Sequence, residues 1–227
     1  MAKRLVQSKG GLKMVPMDGK GSIFDIPEPK WKHDSTTPMC SNPSCGTQFD
    51  FFHRRHHCRI CGKVYCDSCS DYRQPVLRMG LVDSVRLCKT CEGKAKKGNH
   101  FVSHELKSLV KGAHFSLSEV EGLTFRCHLS DDHREIMFDG GTDSTRDPIM
   151  LRKIVEVKNA DSKEASPDEK GSPQPGSEIN GLILFYRDEG KERSIEIGLK
   201  HVSEDELKVS QNWLLFLKKA LKTLHEK

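Results

Sequence analysis

The chain has 227 residues, 35% hydrophobic and 30% charged, with a formal net charge of +5, which gives room for two compact domains but argues against one large enzyme core. Mean hydropathy is −0.60, and no apolar run approaches the roughly 18 to 20 residues of a spanning helix, which excludes a transmembrane segment. Met1 to Lys13 is basic but lacks the apolar stretch and cleavage site of a secretory signal, so a reducing compartment is expected.

In chain order, residues 1–27 come first, with Lys3, Arg4, Lys9, Lys13 and Lys20 among glycines; they read as a disordered basic tail that adds nonspecific attraction to a membrane. Residues 51–100 then carry eleven Lys/Arg against four acids, a net of +7, so the rest of the chain nets −2. Basic character belongs to one block, which points to a local anionic partner.

Eight of the nine cysteines, Cys40, Cys45, Cys58, Cys61, Cys66, Cys69, Cys88 and Cys91, fall within 52 residues as one C-x4-C and three C-x2-C knuckles. Such knuckles let two thiolates reach one Zn²⁺, and eight ligands make two tetrahedral sets. Disulfides would need an oxidising compartment, and redox C-x2-C chemistry would need a surrounding βαβ pattern. Sequential and interleaved pairings both satisfy the spacing. With little apolar content of its own, the block should take most of its stability from metal. With four thiolates on each zinc no position is left for a reacting water, which argues against catalytic zinc. Cys127, in an alternating apolar stretch, reads as a buried thiol.

From between the second and third cysteines runs Phe49-Asp50-Phe51-Phe52-His53-Arg54-Arg55-His56-His57-Cys58-Arg59. Guanidinium forks match phosphate oxygens, and metal-held backbone would fix their direction before a ligand arrives, so the cluster suits a phosphate monoester. Arg54-Arg55-His56-His57-Cys58-Arg59, with Trp31-Lys32-His33-Asp34 upstream and Arg86-Leu87-Cys88 downstream, resembles the three motifs of the FYVE zinc finger: W-x-x-D, R-R/K-H-H-C-R and R-V-C. Leu87 stands where Val is usual, and the first knuckle is longer than the commoner C-x2-C.

The resemblance implies a cross-brace, with Cys40, Cys45, Cys66 and Cys69 on one Zn²⁺ and Cys58, Cys61, Cys88 and Cys91 on the other. It implies binding of phosphatidylinositol 3-phosphate on endosomal membranes. Arg59 and Arg86 would hold the 3-phosphate, and Arg54 and Arg55 the phosphate edge including the 1-phosphate. His57 with Asp34 would bond the inositol hydroxyls, and His56 would complete the pocket. An imidazole that gains an anion favours its charged form, so tighter membrane binding near pH 6 than near 7.4 is expected from His56 and His57. Phe51 and Phe52 occupy the tip where family members carry a loop that enters the bilayer; either both insert or one packs under the knuckle.

From about Lys111 apolar alternation predicts strands at Phe115–Leu117, Leu123–Leu129, Ile136–Phe138, Leu151–Val157, Leu182–Tyr186 and Ile195–Leu199. Ser203-Glu204-Asp205-Glu206 is a capping box opening a last helix with Leu207, Leu214, Leu217, Leu221 and Leu224 on its apolar side. Strands closed by one helix, with Trp213 in it, resemble a pleckstrin-homology (PH)-type domain. The fold class expected is therefore α+β, a cross-brace double-zinc finger followed by a PH-like barrel or sandwich capped by a helix. The organisation expected is a tail over 1–27, a finger over 28–95, a linker over 96–107, and a PH-like domain over 108–227 with a disordered loop at 159–178.

The first turn of that domain, Ser118-Glu119-Val120-Glu121-Gly122, is acidic, which favours a protein contact over a headgroup. The function expected is a non-enzymatic adaptor with two Zn²⁺, cytoplasmic and peripheral on early endosomes or other membranes carrying this lipid, with no nucleic-acid partner. Competing readings are a RING-like module recruiting a ubiquitin-conjugating enzyme and a zinc finger binding a small GTPase. RING fingers usually place a histidine among their ligands, and here all eight candidates are cysteine. No GxxxxGK[ST] loop, GxSxG elbow or HExxH helix is present, which leaves intrinsic catalysis without candidate residues.

Overall fold

A computed structural model describes residues 2–140, 146–160 and 179–225. The chain divides into two compact units, Met1–His104 and Glu105–Lys227. Both mix helix and strand, as an α+β reading requires. Among the described residues no helix is long and apolar enough to cross a membrane.

In the first unit, β1 (Lys3–Gln7) and β2 (Leu12–Pro16) form an antiparallel hairpin. β3 (His56–His57) pairs with β4 (Val64–Tyr65), and α1 (Asp67–Ser70) follows. β5 (Tyr72–Val76) pairs with β6 (Leu81–Leu87), giving a four-stranded antiparallel sheet of order β1-β2-β6-β5. α2 (Lys89–His100) packs against β5. The core is small: Val76, Met79, Leu81, Val85, Leu87 and Ala95 around the buried cysteines.

Where a disordered tail is expected at 1–27, the structure has this hairpin, a correction with a clear physical cause. The Ser8-Lys9-Gly10-Gly11 turn is closed by Ser8 N–H to the Gly11 carbonyl (3.0 Å), and Ser8 Oγ donates to the same carbonyl (2.9 Å). Gly10 lies against Leu81, and the Met14 N–H donates to the Gly80 carbonyl at 2.8 Å. Gly80 has φ +74°, and a Cβ there would meet the Met14 carbonyl at 2.6 Å, so only glycine lets the hairpin dock. Lysines along such a strand are ordinary edge protection rather than a sign of disorder.

The expected linker at 96–107 is helical instead: α2 runs to His100, a π-helical turn covers Phe101–Glu105, and α3 spans Leu106–Lys111. Apolar residues along it are buried, Phe101 against Phe24 in the first unit and Leu106 and Leu109 in the core of the second.

The second unit holds β7 (Ala113–Leu117), β8 (Val120–Leu129), β9 (Glu135–Gly140), β10 (Ile149–Met150), β11 (Ile154–Asn159), β12 (Gly181–Asp188), β13 (Lys191–Gly198) and α4 (Glu204–His225). The strands make one antiparallel sheet of order β10-β9-β8-β7-β13-β12-β11. The predicted strand over 151–157 is interrupted by a 3₁₀ turn at Leu151–Lys153. The break lets one run of chain serve both edges of the sheet, β10 on β9 and β11 on β12, which curls seven strands towards closure. Of the expected loop at 159–178, residues 161–178 lie outside the described residues.

α4 begins where the capping box predicts, with Ser203 Oγ bonded to Glu206 Oε2 at 3.1 Å. It buries Trp213, Leu214, Leu217 and Leu221, while Leu207 remains 37% exposed. Trp213 packs on Phe115 (ring centroids 5.1 Å apart), and its Nε1–H donates to the Leu109 carbonyl at 3.1 Å, so the buried indole keeps a partner. A sheet closed by this helix is the PH-type architecture. Cys127 is fully buried, and burial pushes its thiol well up.

Candidate functional site: a double-zinc finger and its basic face

Four knuckles fold into two thiol quartets. Cys40, Cys45, Cys66 and Cys69 form one and Cys58, Cys61, Cys88 and Cys91 the other, with the sulfur atoms of each within 4.8 Å of one another. Pairs therefore interleave along the chain as a cross-brace. The second quartet is tied to the basic run, because β3 leads directly into Cys58.

The donor sets fit zinc. Cys40 Sγ accepts N–H bonds from Cys66 (3.4 Å) and Asn42 (3.5 Å), and Cys69 Sγ accepts from Asn42 Nδ2 (3.1 Å). Such donors stabilise sulfur that carries negative charge. Within the second quartet, hydrogen bonding from Cys58 and Cys91 pulls the Cys61 thiol down, while bonding to Cys61 pushes Cys58 up to about 11. Four thiols in contact cannot all ionise without a cation among them, and two Zn²⁺ meet that need.

Gly62 places the W-x-x-D segment. Its φ is +69°, and a Cβ would lie 2.5 Å from the Lys30 carbonyl; the Lys32 N–H donates to the Gly62 carbonyl at 2.9 Å. Trp31 thereby meets the His57 ring edge-on at 5.3 Å, and the Arg59 guanidinium lies 5.5 Å from the indole centroid. His57 Nε2 donates to the Lys32 carbonyl (2.7 Å) and stands 3.6 Å from Asp34 Oδ1.

Arg59 and Arg86 come together although 27 positions separate them: the Arg59 N–H donates to the Arg86 carbonyl at 3.1 Å, and Arg59 Nη1 donates to the His57 carbonyl at 2.7 Å. Burial, then the charges of Arg86 and Arg73, hold the Arg59 guanidinium below its ordinary value. Burial and then Arg86 hold His56 below the ordinary imidazole value, which moves its own gain of charge to lower pH than the sequence suggests. His56 Nε2 is 3.7 Å from Asp67.

The remaining predicted residues lie towards the loop. Arg55 Nε donates to the Thr37 carbonyl (3.2 Å) and its guanidinium covers Phe49, while that of Arg54 lies over Phe51. Phe51 and Phe52 are 78% and 85% exposed and pack edge-to-face on each other, so neither lies under a knuckle. Asp50 Oδ1 accepts the N–H groups of Phe52 (2.8 Å) and His53 (2.7 Å), which shapes the tip, and its carboxyl is held below the usual range first by the His53 N–H.

Sequence reasoning missed Asp67 and Asp71, which approach Arg86 at 2.7 and 3.8 Å, and Arg73, which is paired in register with Arg86. The i, i+4 spacing of the two acids was the available signal. In the second unit, Arg126 is engaged by Asp139 (2.8 Å), which also lies 3.1 Å from His128. Both basic groups of that stretch of β8 thus face one acid.

Comparison with known proteins follows the same division. Residues 30–97 match the family model of the FYVE zinc finger. Residues 100–227 match a family model described as zinc finger FYVE domain-containing protein 21 C-terminus. Similar solved structures include the VHS and FYVE tandem domains of HRS, described as involved in membrane trafficking and signal transduction, at 32% identity over 31% of this chain and TM-score 0.28; the match spans only 30% of that chain. The LM5-1 FYVE domain from Leishmania major is 36% identical over 30% of this chain and 77% of its own, with TM-score 0.27. A PH domain from TgAPH is 13% identical over 56% of this chain and 93% of its own, with TM-score 0.36.

Proposed function

The chain belongs to the family described as zinc finger FYVE domain-containing protein 21 C-terminus, and from that premise we propose that it is a non-enzymatic adaptor whose finger holds phosphatidylinositol 3-phosphate at endosomal membranes. The PH-like unit supplies a second contact, to protein. On this reading the finger occupies 28–95 and the PH-like domain 108–227.

One observation carries the reading: the backbone bond from Arg59 to Arg86 brings two arginines together beside the second thiol quartet, with Arg59 Nη1 bonded to the His57 carbonyl and His57 3.6 Å from Asp34. Arg59 and Arg86 take the 3-phosphate, Arg54 and Arg55 the phosphate edge, His57 and Asp34 the ring hydroxyls, and His56 completes the pocket. Preorganised cations lose little entropy on binding. Phe51 and Phe52 add at most roughly 1.5 to 3 kcal/mol each on full burial, and each Lys or Arg near an anionic leaflet about 1 kcal/mol. Those magnitudes describe reversible residence on the membrane. A protein contact for the second unit is supported by its acidic first turn and by the pairing of Arg126 with Asp139.

The test is sedimentation with vesicles carrying phosphatidylinositol 3-phosphate, before and after zinc chelation and with Arg86→Ala. Binding lost in both cases supports the reading; binding that survives both overturns it.

A further inference from the structure

Lys9 lies outside the residues matched as a FYVE finger, yet its ammonium sits 5.1 Å from the centroid of Trp31, the ring that Arg59 approaches at 5.5 Å and His57 meets edge-on. Its position is not that of a loose surface lysine. The turn that carries it is closed by the Ser8–Gly11 backbone bonds (3.0 and 3.3 Å), and the Gly10 N–H donates to Ser8 Oγ at 3.2 Å. The next residues are pinned: Gly10 and Gly11 lie against Leu81 and Val85 of β6, Lys13 pairs with Leu81, and Lys13 Nζ reaches Glu28 at 3.4 Å.

Two cations therefore share one aromatic ring, and among the described residues neither Lys9 nor Arg59 forms an ion pair. The indole attracts both cations but neutralises neither. An anion that reaches Arg59 beside this ring gains a second cation in Lys9. The phosphate assigned to Arg59 is such an anion, and it would arrive on the face of the finger to which the hairpin delivers Lys9.

We propose that Lys9 is a further headgroup-binding residue, so that the β1–β2 hairpin forms one wall of the phosphoinositide pocket. This rests on the function proposed above. Lys9 contributes charge to the inositol phosphate itself, in contrast to Lys3, Arg4 and Lys20, which are exposed as Lys9 is but have no such contact with Trp31 among the described residues.

The experiment measures full-length wild type, Lys9→Ala, Lys9→Arg, Lys20→Ala and Arg59→Ala by calorimetry with soluble short-chain phosphatidylinositol 3-phosphate. Each is also measured by sedimentation with vesicles containing phosphatidylserine alone. Lys9 is exposed and outside both cores, so its variants should keep two zinc ions per chain and the wild-type melting temperature. Expected is a loss of about two- to fivefold for the soluble headgroup in Lys9→Ala, recovery in Lys9→Arg, and no change in Lys20→Ala. Unchanged headgroup affinity in Lys9→Ala, with binding abolished in Arg59→Ala, overturns the role of Lys9 while leaving the proposed function standing. Headgroup binding that survives Arg59→Ala removes the proposed function and this inference together. A Lys9→Ala defect confined to phosphatidylserine vesicles would also overturn the proposal, because it would make the lysine a leaflet contact only.

Discussion

Asp67 and Arg86 face each other across 2.7 Å, carboxylate Oδ1 to guanidinium Nη1, so an internal acid occupies one fork of an arginine assigned to phosphate. Ser70 Oγ and Asp71 approach the same guanidinium at 3.5 and 3.8 Å. Arg86 in turn holds the Asp67 carboxyl below its ordinary range. Phosphate must displace this carboxylate or share Arg86 with it.

Asp67→Asn should therefore tighten binding of the soluble headgroup. Asp67 is exposed, and exposed pairs of that kind are weak, so the gain in affinity should be at most about fivefold. Calorimetry on wild type and variant checks this, with Asp205→Asn, in α4 of the second unit and also exposed, as the charge-matched control. Equal gains in both variants would show only a general effect of charge.

Zinc should hold the first unit and leave the second alone. Metal analysis should give two Zn²⁺ per chain, and Cys58→Ser should lower that number. Chelation should unfold the finger, since structural sites supply on the order of 10 kcal/mol, while Trp213 stays in its buried environment. Thiol titration adds an independent count: with zinc bound, none of the nine cysteines should react quickly, Cys127 included, because it is fully buried. Rapid modification of Cys127 in the native protein would contradict the packing of the second unit.

Phe51 and Phe52 act on the bilayer and not on the headgroup. Both are exposed, and their partners among the described residues are Asp50, Arg54 and each other, not Arg59 or Arg86, so Phe51→Ser/Phe52→Ser should largely keep its affinity for the soluble headgroup. Membrane partitioning should fall by an amount bounded by roughly 1.5 to 3 kcal/mol per ring. Vesicle sedimentation set beside calorimetry separates the two effects.

Trp213 offers a test of the second unit. Truncation to Ala removes a buried indole and leaves the Leu109 carbonyl without its donor, a change expected to cost about 3 to 5 kcal/mol. Thermal melts should show the second unit destabilised and zinc content unchanged.

A pH dependence follows from Asp188, whose carboxyl is held below its ordinary value first by the hydrogen bond from Lys153 (2.7 Å) and then by the charge of Arg193. A depressed carboxylate contributes stability that is present above the unfolded pKa of about 3.9 and is lost as pH falls through the folded value. Carbon-detected NMR of the Asp188 carboxyl should place its midpoint below that of an unpaired aspartate, and Lys153→Ala should move it back up. A midpoint at or above the ordinary value would contradict the pairing.

Much of the site was legible because metal-binding spacing is local and chemically narrow. Short knuckles leave few ways to be used, and Arg54 to Arg59 runs from the loop after the first of them into the second. Strands of the second unit showed through alternation at Phe115, Phe125 and Ile195, each now 0 to 1% exposed. The hairpin at Lys3–Pro16 was hidden because its strands bury little and its docking depends on Gly80 and Leu81, more than sixty positions away. The break at Leu151 was hidden for a related reason: Ile149 and Ile154 are both buried, and periodicity cannot tell that they serve opposite edges of one sheet. Asp67 was missed because an acid at the start of a short helix looks like a dipole partner until its arginine is seen.

The most direct test of the account is vesicle binding across the phosphoinositide isomers with full-length wild type and Arg59→Ala. The account predicts selective binding to the 3-phosphate isomer, abolished in Arg59→Ala with both zinc ions retained. Equal binding to every isomer, or binding unaffected by Arg59→Ala, would contradict it.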